Sequence, residues 1–279
     1  MSLWSEENHE GLMKIALKTK AKCFEGVSEF QKVEIVETEA LGRALLLDGV
    51  WMTAEGDEKT YHEMISHPAL TTAPRIKRVL IIGGGDGGTA REVLRHPEVE
   101  CVDLVELDAM VVEACRKYLP SIGSAWGDPR LHVHIADGIR WVKNYQGAPY
   151  DVILVDGPDP IGPAEGLFAR DFYESCAKAL SPEGVFVTQS ESPNMMRELH
   201  LKILAELKGC FKKVLPYYKG VVIYPGGEWS WTYASQSVDP MYINLERASR
   251  ISKDTYIYNE MVHRGAFAVP NHIRKVLER

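Results

Sequence analysis

Arg78-Val79-Leu80-Ile81-Ile82-Gly83-Gly84-Gly85-Asp86-Gly87-Gly88 is the stretch on which the reading of the fold turns. A short apolar run rich in β-branched residues and closed by glycines reads as a buried strand, and Thr89 to Arg95 after it reads as a helix. Four more strand-like runs follow: Val102 to Glu106, Leu131 to Ile135, Val152 to Val155 and Gly184 to Thr188, with helical patterns at Asp108 to Tyr118 and Phe172 to Leu180. Such alternation implies right-handed βαβ units and a parallel sheet covered on both faces. The expected fold is α/β: a doubly wound, mostly parallel sheet. Upstream, Ser28 to about Thr60 reads as short strands. Gln31 to Glu37 alternates polar and apolar residues, and Ala44 to Leu47 runs into the Asp48-Gly49 turn before Val50-Trp51-Met52, which predicts a small antiparallel sheet. The expected division is an N-terminal β domain over 1–60 and a catalytic domain over 61–279. The tail from about Asp239 shows no linker that would separate it, and there is no internal repeat.

Composition narrows the function. The 279 residues are 45% hydrophobic and 25% charged, which is ordinary for a globular chain, and the net charge is -7. An acidic chain is a poor partner for phosphate backbones, so nucleic acid is excluded as the main ligand and a cationic one is favoured. Cys23, Cys101, Cys115, Cys176 and Cys210 are odd in number and form no CxxC or Cys/His cluster, so neither a disulfide framework nor a zinc site is expected. Met1 to Leu17 is amphipathic and carries Glu6, Glu7, Glu10 and Lys14, unlike a signal peptide, and no apolar window of membrane-spanning length occurs. The expectation is a cytoplasmic protein with no membrane partner.

Gly83, Gly85 and Gly88 satisfy the G-x-G-x-x-G spacing between a strand and a helix, where glycines let the backbone turn sharply and approach a ligand. The pattern alone fits a nicotinamide dinucleotide or an adenosyl sulfonium. Asp86 inside the loop would repel a pyrophosphate and attract an ammonium or sulfonium, which favours the cationic ligand. Glu106 lies 21 residues after Gly85, the distance at which an acid accepts hydrogen bonds from ribose hydroxyls. Asp108 beside it suits a helix N-cap. Asp137-Gly138 follows the third strand, where an acid at the sheet edge can accept from an adenine amino group. Asp156 and Asp159 end the fourth strand in the turn Asp156-Gly157-Pro158-Asp159-Pro160. A dicationic amine calls for such a pair; strand and Asp-Pro turn capping is the plain alternative.

At these residues the chain resembles the spermidine synthase (polyamine aminopropyltransferase) family. The matching blocks include Leu47-Asp48-Gly49-Val50, Tyr61-His62-Glu63-Met64, the glycine loop, Val105-Glu106-Leu107-Asp108, Asp137-Gly138, Asp159-Pro160-Ile161-Gly162-Pro163-Ala164-Glu165, Gln189-Ser190-Glu191-Ser192-Pro193 and Tyr224-Pro225-Gly226-Gly227. The resemblance implies transfer of an aminopropyl group from decarboxylated S-adenosylmethionine, a co-substrate, to putrescine, giving spermidine and 5′-methylthioadenosine without metal or cofactor. It implies that Glu106 holds the ribose, Asp137 the adenine amino group and Asp86 the donor's ammonium, with Gln31 near the donor. Asp156 and Tyr61 would receive or orient the amine, while His62, Asp159, Gln189 and Tyr224 would line its channel. The resemblance also implies a Rossmann-like fold of the class I methyltransferase kind with a small N-terminal antiparallel β domain, assembled as a homodimer or homotetramer. The chemistry agrees: exposing the lone pair of an amine of pKa about 10.4 near pH 7.5 costs roughly 4 kcal/mol, so a base is needed, and Asp156 is the first choice. Gly162, Pro163 and Gly166 suit a lid.

Departures from the family pattern cluster near the acceptor. Gly157-Pro158 stand where small hydroxyl residues are usual, Met52 where some members have Gln, Lys59 for a usual Phe, and Val222-Ile223 where Pro-Thr is common. Agmatine, cadaverine or spermidine as acceptor therefore stays open, as does a small-molecule S-adenosylmethionine-dependent methyltransferase. The methyltransferase would have to bind a carboxylate beside a loop with nothing basic in it. His132 and His134 share a strand face without a third ligand, Trp229 and Trp231 alternate as packing residues, and Arg274, Lys275 and Arg279 read as a solvated helix end.

Overall fold

The computed structural model describes residues 3–9, 11, 13–160 and 162–277. Met1, Glu10, Ile161 and Arg279, which figure in the reading above, lie outside them.

An antiparallel meander opens the chain: β1 (Leu3–His9), β2 (Met13–Val27), β3 (Lys32–Thr38), β4 (Gly42–Leu47) and β5 (Val50–Ala54), paired in that order. The sheet therefore begins at Leu3, well before the Ser28 expected from sequence. In β2, Met13, Ile15 and Leu17 alternate with Lys14, Ala16 and Lys18, a period of two that half-buries one face. The lysines of the other face pair with acids, Lys14 with Glu6 and Lys18 with Glu39.

A seven-stranded sheet follows, ordered β11-β12-β10-β9-β6-β7-β8. Its parallel members are β6 (Arg78–Gly83), β7 (Cys101–Glu106), β8 (Leu131–Ile135), β9 (Tyr150–Asp156) and β10 (Leu180–Gln189). β11 (Lys213–Lys219) and β12 (Trp229–Ser235) finish the sheet antiparallel. Every residue from Val79 to Ile82 and from Tyr150 to Val155 is buried, the continuous apolar pattern of strands covered on both faces. Strand order reverses between β6 and β9, so their C-terminal ends bound the crevice where this class of sheet takes ligands.

Helix α1 (Glu58–Leu70) runs across the 60/61 division and packs on β9, β10 and α2 (Gly88–Leu94). Twelve of its thirteen residues are buried, among them Glu58, His62, Glu63 and His67. With no polar face, its sequence lacks the amphipathic period by which helices are recognised. Helices α3 (Ala109–Tyr118), α4 (Gly138–Lys143), α5 (Arg170–Ala179) and α6 (Arg197–Lys208) cover the sheet. The tail forms α7 (Leu245–Ile251), α8 (Glu260–Ala266) and α9 (Asn271–Leu277). It is tied to α1 through Glu63, whose carboxylate accepts from the backbone N–H groups of Tyr256, Ile257 and Tyr258. Among the described residues no helix is long and apolar enough to cross a membrane.

Gly83 ends β6 at φ +81°, and a Cβ there would fall 2.1 Å from the Asp156 carbonyl oxygen of the adjacent strand. Gly83→Ala should thus lower stability by about 2 kcal/mol or more, several degrees of thermal midpoint. Gly127→Ala, whose Cβ meets nothing within 4 Å, should leave the melting curve unchanged. Equal melting of the two variants by calorimetry would refute the packing argument.

Candidate active site

At the crevice a cavity of about 360 Å³ opens between the two sheets. Its wall brings together Gln31, Tyr61, His62, Gly83, Gly85, Asp86, Glu106, Asp137, Gly138, Asp156, Asp159 and Tyr224, residues scattered over most of the sequence. Gln189 alone among the expected positions does not line it, and opens on a small adjoining cavity of about 30 Å³ together with Glu7, Asp159 and Tyr224.

The register of β6 and β9 sets Gly83 opposite Asp156. Gly84 N–H donates to the Asp156 carbonyl at 2.9 Å, and a Cβ on Gly84 would lie 3.1 Å from the Asp156 Oδ2. Asp156 Oδ2 also accepts from Thr89 Oγ1 at 2.6 Å, and the Tyr61 hydroxyl hydrogen-bonds the same carboxylate. Burial and the neighbouring Asp86 charge push the Asp156 carboxyl above the usual carboxylate range, against the pull of His62, Thr89 and Tyr61. The Tyr61 phenol is driven well up, first by burial and then by the Asp156 charge, so it stays protonated. Asp86 moves the other way. Burial opposes its charge, but His62 and the Gly88 N–H at 2.8 Å outweigh burial and hold it low.

His62 is 1% exposed and has an acid on each nitrogen: Glu58 Oε2 lies 2.6 Å from Nδ1 and Asp86 Oδ2 lies 3.2 Å from Nε2. Burial disfavours the imidazolium, and the two carboxylates more than reverse it, so the ring is charged at neutral pH. His62, Asp86 and Asp156 are the grouping of metal-ligand atoms within 4.8 Å of one another found among the described residues. With both nitrogens of His62 engaged by Glu58 and Asp86, the three side chains form a cluster of one imidazolium between two carboxylates.

The acids along the sheet edge have second duties. Glu106 accepts from Gly85 N–H at 3.2 Å and Asp108 N–H at 3.0 Å, and burial pushes its carboxyl up to about 7 against those bonds. Asp137 caps α4 by accepting from Ile139 and Arg140 N–H, and still lines the cavity. Asp108 caps α3 through Met110 N–H. It also accepts from Ser28 Oγ at 2.7 Å and Gln31 Nε2 at 3.1 Å, which joins the first sheet to the second beside Glu106.

Near the small cavity, the Asp159 and Glu191 carboxyls hydrogen-bond one another, and burial raises both. Gln189 clamps Glu191, its Nε2 donating to Oε1 at 3.1 Å and its Oε1 accepting from Glu191 N–H at 3.0 Å. Glu7, from β1, accepts from Trp51 N–H at 3.0 Å. Glu7, Glu58, Thr89 and Glu191 were given no role in the sequence reading. Glu58 and Glu191 stand in stretches that match the family, Asp57-Glu58 and Gln189 to Pro193, whereas Glu7 and Thr89 carried no such signal.

Of the departures from the family pattern, Met52 and Pro158 line the cavity, while Lys59 is exposed and sits over the Tyr256 ring at 5.3 Å. Val222 is 72% exposed; its backbone N–H and that of Ile223 bond Asp57. Tyr224 Oη donates to the Met52 carbonyl at 2.6 Å, and its ring packs against Tyr61 and Trp229. Trp231 is fully buried against Tyr61 and Tyr217. His134 pairs with Asp103 at 3.0 Å and His132 is exposed, so the two form no common site. Residues 162–168, the expected lid, form a 3₁₀ helix in which Gly166 abuts Ile139 of α4.

Comparison with known proteins places this geometry in context. Residues 58–244 match the family model described as a spermine/spermidine synthase domain, and residues 3–55 match one described as a spermidine synthase tetramerisation domain. The polyamine aminopropyltransferase of Prochlorococcus marinus strain MIT 9313 is 46% identical, over 98% of this chain and 96% of its own. That of Clostridium perfringens strain SM101 is 39% identical, over 100% and 99%. A crystal structure of spermidine synthase in complex with the transition-state analogue AdoDATO superposes with a TM-score of 0.95 at 38% identity, over 99% of this chain and 95% of the other. The spermidine synthase of Thermotoga maritima gives a TM-score of 0.94 at 38% identity, over 99% and 94%.

The burial of Glu106 makes a direct prediction. In carbon-13 NMR of protein labelled at glutamate side chains, the carboxyl resonance missing from Glu106→Gln should titrate near pH 7. An exposed glutamate titrates at about 4.3, and such a midpoint here would contradict the burial argument.

Proposed function

The chain belongs to the spermine/spermidine synthase family of aminopropyltransferases, and we propose that it transfers the aminopropyl group of decarboxylated S-adenosylmethionine to putrescine, releasing spermidine and 5′-methylthioadenosine. One observation carries this reading: two acidic poles stand in adjoining cavities, Asp86 with Asp156 beside the glycine loop, and Asp159 backed by Glu191 with Glu7 beyond it. Between them lies a wall of Met52, Pro158, Tyr61 and Tyr224, suited to methylenes. A monoamine would use one pole; a diamine uses both.

In this reading Glu106 and Gln31 take the ribose hydroxyls, Asp137 with Gly138 takes the adenine, and Asp86 takes the donor's ammonium. Gly83 and Gly85 let the backbone come close to the donor. The amine's far ammonium sits toward Asp159, with Gln189 ordering Glu191 behind it. Asp156 takes a proton from the near ammonium and so exposes its lone pair, and the nitrogen attacks the methylene carbon bonded to sulfur. As the N–C bond forms, the C–S electron pair passes to sulfur, which leaves as a neutral thioether, and the product nitrogen keeps its two remaining protons as a secondary ammonium. A carboxyl raised in pKa by burial is a better base than an ordinary one. Tyr61, held as a phenol, donates to Asp156 and orients it. The sulfonium is activated by its own charge, so the reading includes neither metal nor cofactor, and the alignment of nitrogen, carbon and sulfur supplies much of the rate. The 3₁₀ helix at 162–168 serves as the lid.

Lys59, turned outward, presents no charge to the diamine. Met52 and Pro158 in the wall leave cadaverine, agmatine or spermidine as second acceptors to be tested. A methyltransferase would have to place a methionine carboxylate against Asp86, a like-charge contact. We further infer a homotetramer, or failing that a homodimer, built through the first sheet, in keeping with the match over residues 3–55. The five free cysteines suit a reducing cytoplasm.

The test is incubation with decarboxylated S-adenosylmethionine and putrescine, cadaverine, agmatine or spermidine, with products identified by mass. Spermidine formed fastest from putrescine is expected; methylthioadenosine release with none of them would end the reading. Asp156→Asn should lower kcat by on the order of 10²–10⁴-fold while methylthioadenosine still binds. Near-normal turnover would remove Asp156 from the base role. Asp86→Ala should weaken the decarboxylated donor far more than methylthioadenosine, which lacks the ammonium; equal losses would show that Asp86 does not read that charge.

A further inference from the structure

Two buried nitrogens of one ring facing two buried acids leave few protonation states open. If His62 carried a proton only on Nδ1, the Nε2 lone pair would point at Asp86 Oδ2; if only on Nε2, the Nδ1 lone pair would face Glu58 Oε2 at 2.6 Å. With Glu58 and Asp86 both held low and ionised, only the doubly protonated ring satisfies both contacts. The ring lies so close over Gly88 that a Cβ there would fall 2.3 Å from it. Glu58 is in turn held by Arg91, whose Nη1 and Nη2 donate to its two oxygens at 3.1 and 2.7 Å, and whose other side binds Glu92 and the Ile122 carbonyl. The guanidinium balances the Glu58 charge. What the site gains from the chain Arg91–Glu58–His62 is one positive charge delivered beside Asp86.

We propose that Glu58 is a positioning residue for the transfer, acting through His62 to hold between Asp86 and Asp156 the charge that lets both aspartates stay ionised together. This rests on the roles given above to Asp86 and Asp156: one must be anionic to take the donor's ammonium and the other anionic to take the amine's proton. The groups that face His62 are Glu58 and Tyr61 from α1, Asp86 from the glycine loop, Arg91 of α2 through Glu58, and Asp156 at the end of β9. Among them Glu58 alone meets His62 without facing the cavity, so it can be changed without removing a substrate contact.

Glu58→Gln keeps the size and leaves an oxygen to accept from Nδ1–H, but removes the charge. The imidazolium is then lost at lower pH, so the variant should fail from the alkaline side. The ratio of variant to wild-type kcat/KM for the amine should fall as pH rises, from within about threefold at pH 6 to a loss of about tenfold or more at pH 9. Methylthioadenosine affinity should stay within about threefold at both, which reports an intact fold. A flat ratio across this range overturns the proposal. Because the substitution touches a buried ion pair, a measurement on the unaltered protein accompanies it. Nitrogen-15 NMR, with the His62 signals identified by their loss in His62→Gln, should show both ring nitrogens protonated to at least pH 8, and a neutral tautomer at pH 7.5 overturns the proposal. A His62 that is charged as expected in a protein that transfers to no amine would leave the charge relay standing and remove only the assignment of the reaction.

Discussion

Two carboxylates at the ends of neighbouring parallel strands repel one another, and the site exists because the fold holds them there and supplies the opposing charge. Gly83 and Gly84 let the loop after β6 close on Asp156, since either Cβ would crowd it. That brings Asp86 and Asp156 to one cavity, where each would by itself drive the other toward its neutral form. His62 reverses this for Asp86 and moderates it for Asp156. The charges of Arg91, Glu58, His62, Asp86 and Asp156 then leave a single net negative charge, and an incoming cation completes the balance.

The element that makes this possible is α1, a helix buried almost all round whose buried acids and histidines each find a partner. Glu58 takes Arg91 and His62, Glu63 ties down the tail at 256–258, and His67 lies between Glu92 and His96. Burying such charges is costly and brings little stability by itself, while breaking one pair leaves an orphaned charge. Its effect here is geometric: the helix bearing Tyr61 and His62 is fixed at several points along its length. The first sheet is likewise part of the site. It provides Glu7, Gln31 and Met52, and Asp108 fastens Gln31 and Ser28 to the glycine-loop side.

Legibility from sequence followed the physical character of each element. The parallel strands were readable because burial on both faces writes itself as uninterrupted Val, Ile and Leu. The glycine loop was readable because only glycine tolerates its backbone angles and close contacts. The first two strands were missed, since β2 alternates apolar residues with lysines along a face paired to acids and so resembles a solvated segment. Helix α1 was missed for the opposite reason, as it has no solvent face to set a period. At the site, Asp86, Glu106, Asp137, Asp156 and Asp159 announced themselves by standing just after strands. Asp137 and Asp108 each cap a helix, and Asp137 also lines the cavity while Asp108 also accepts from Gln31.

What the linear order of residues determined by itself is the doubly wound sheet, its ligand crevice and the acidic character of that crevice, because periodicity, glycine placement and charge are local properties of the chain. Which acids are ionised, which share a proton, and which way Lys59 points were decided only by tertiary structure. Glu58 and His62 are one helical turn apart, but their partners Asp86 and Arg91 come from another segment, and Glu191 meets Asp159 across two strands. A side chain's protonation depends on the charges and the water within a few ångströms of it, and those neighbours are assembled by folding rather than written beside it.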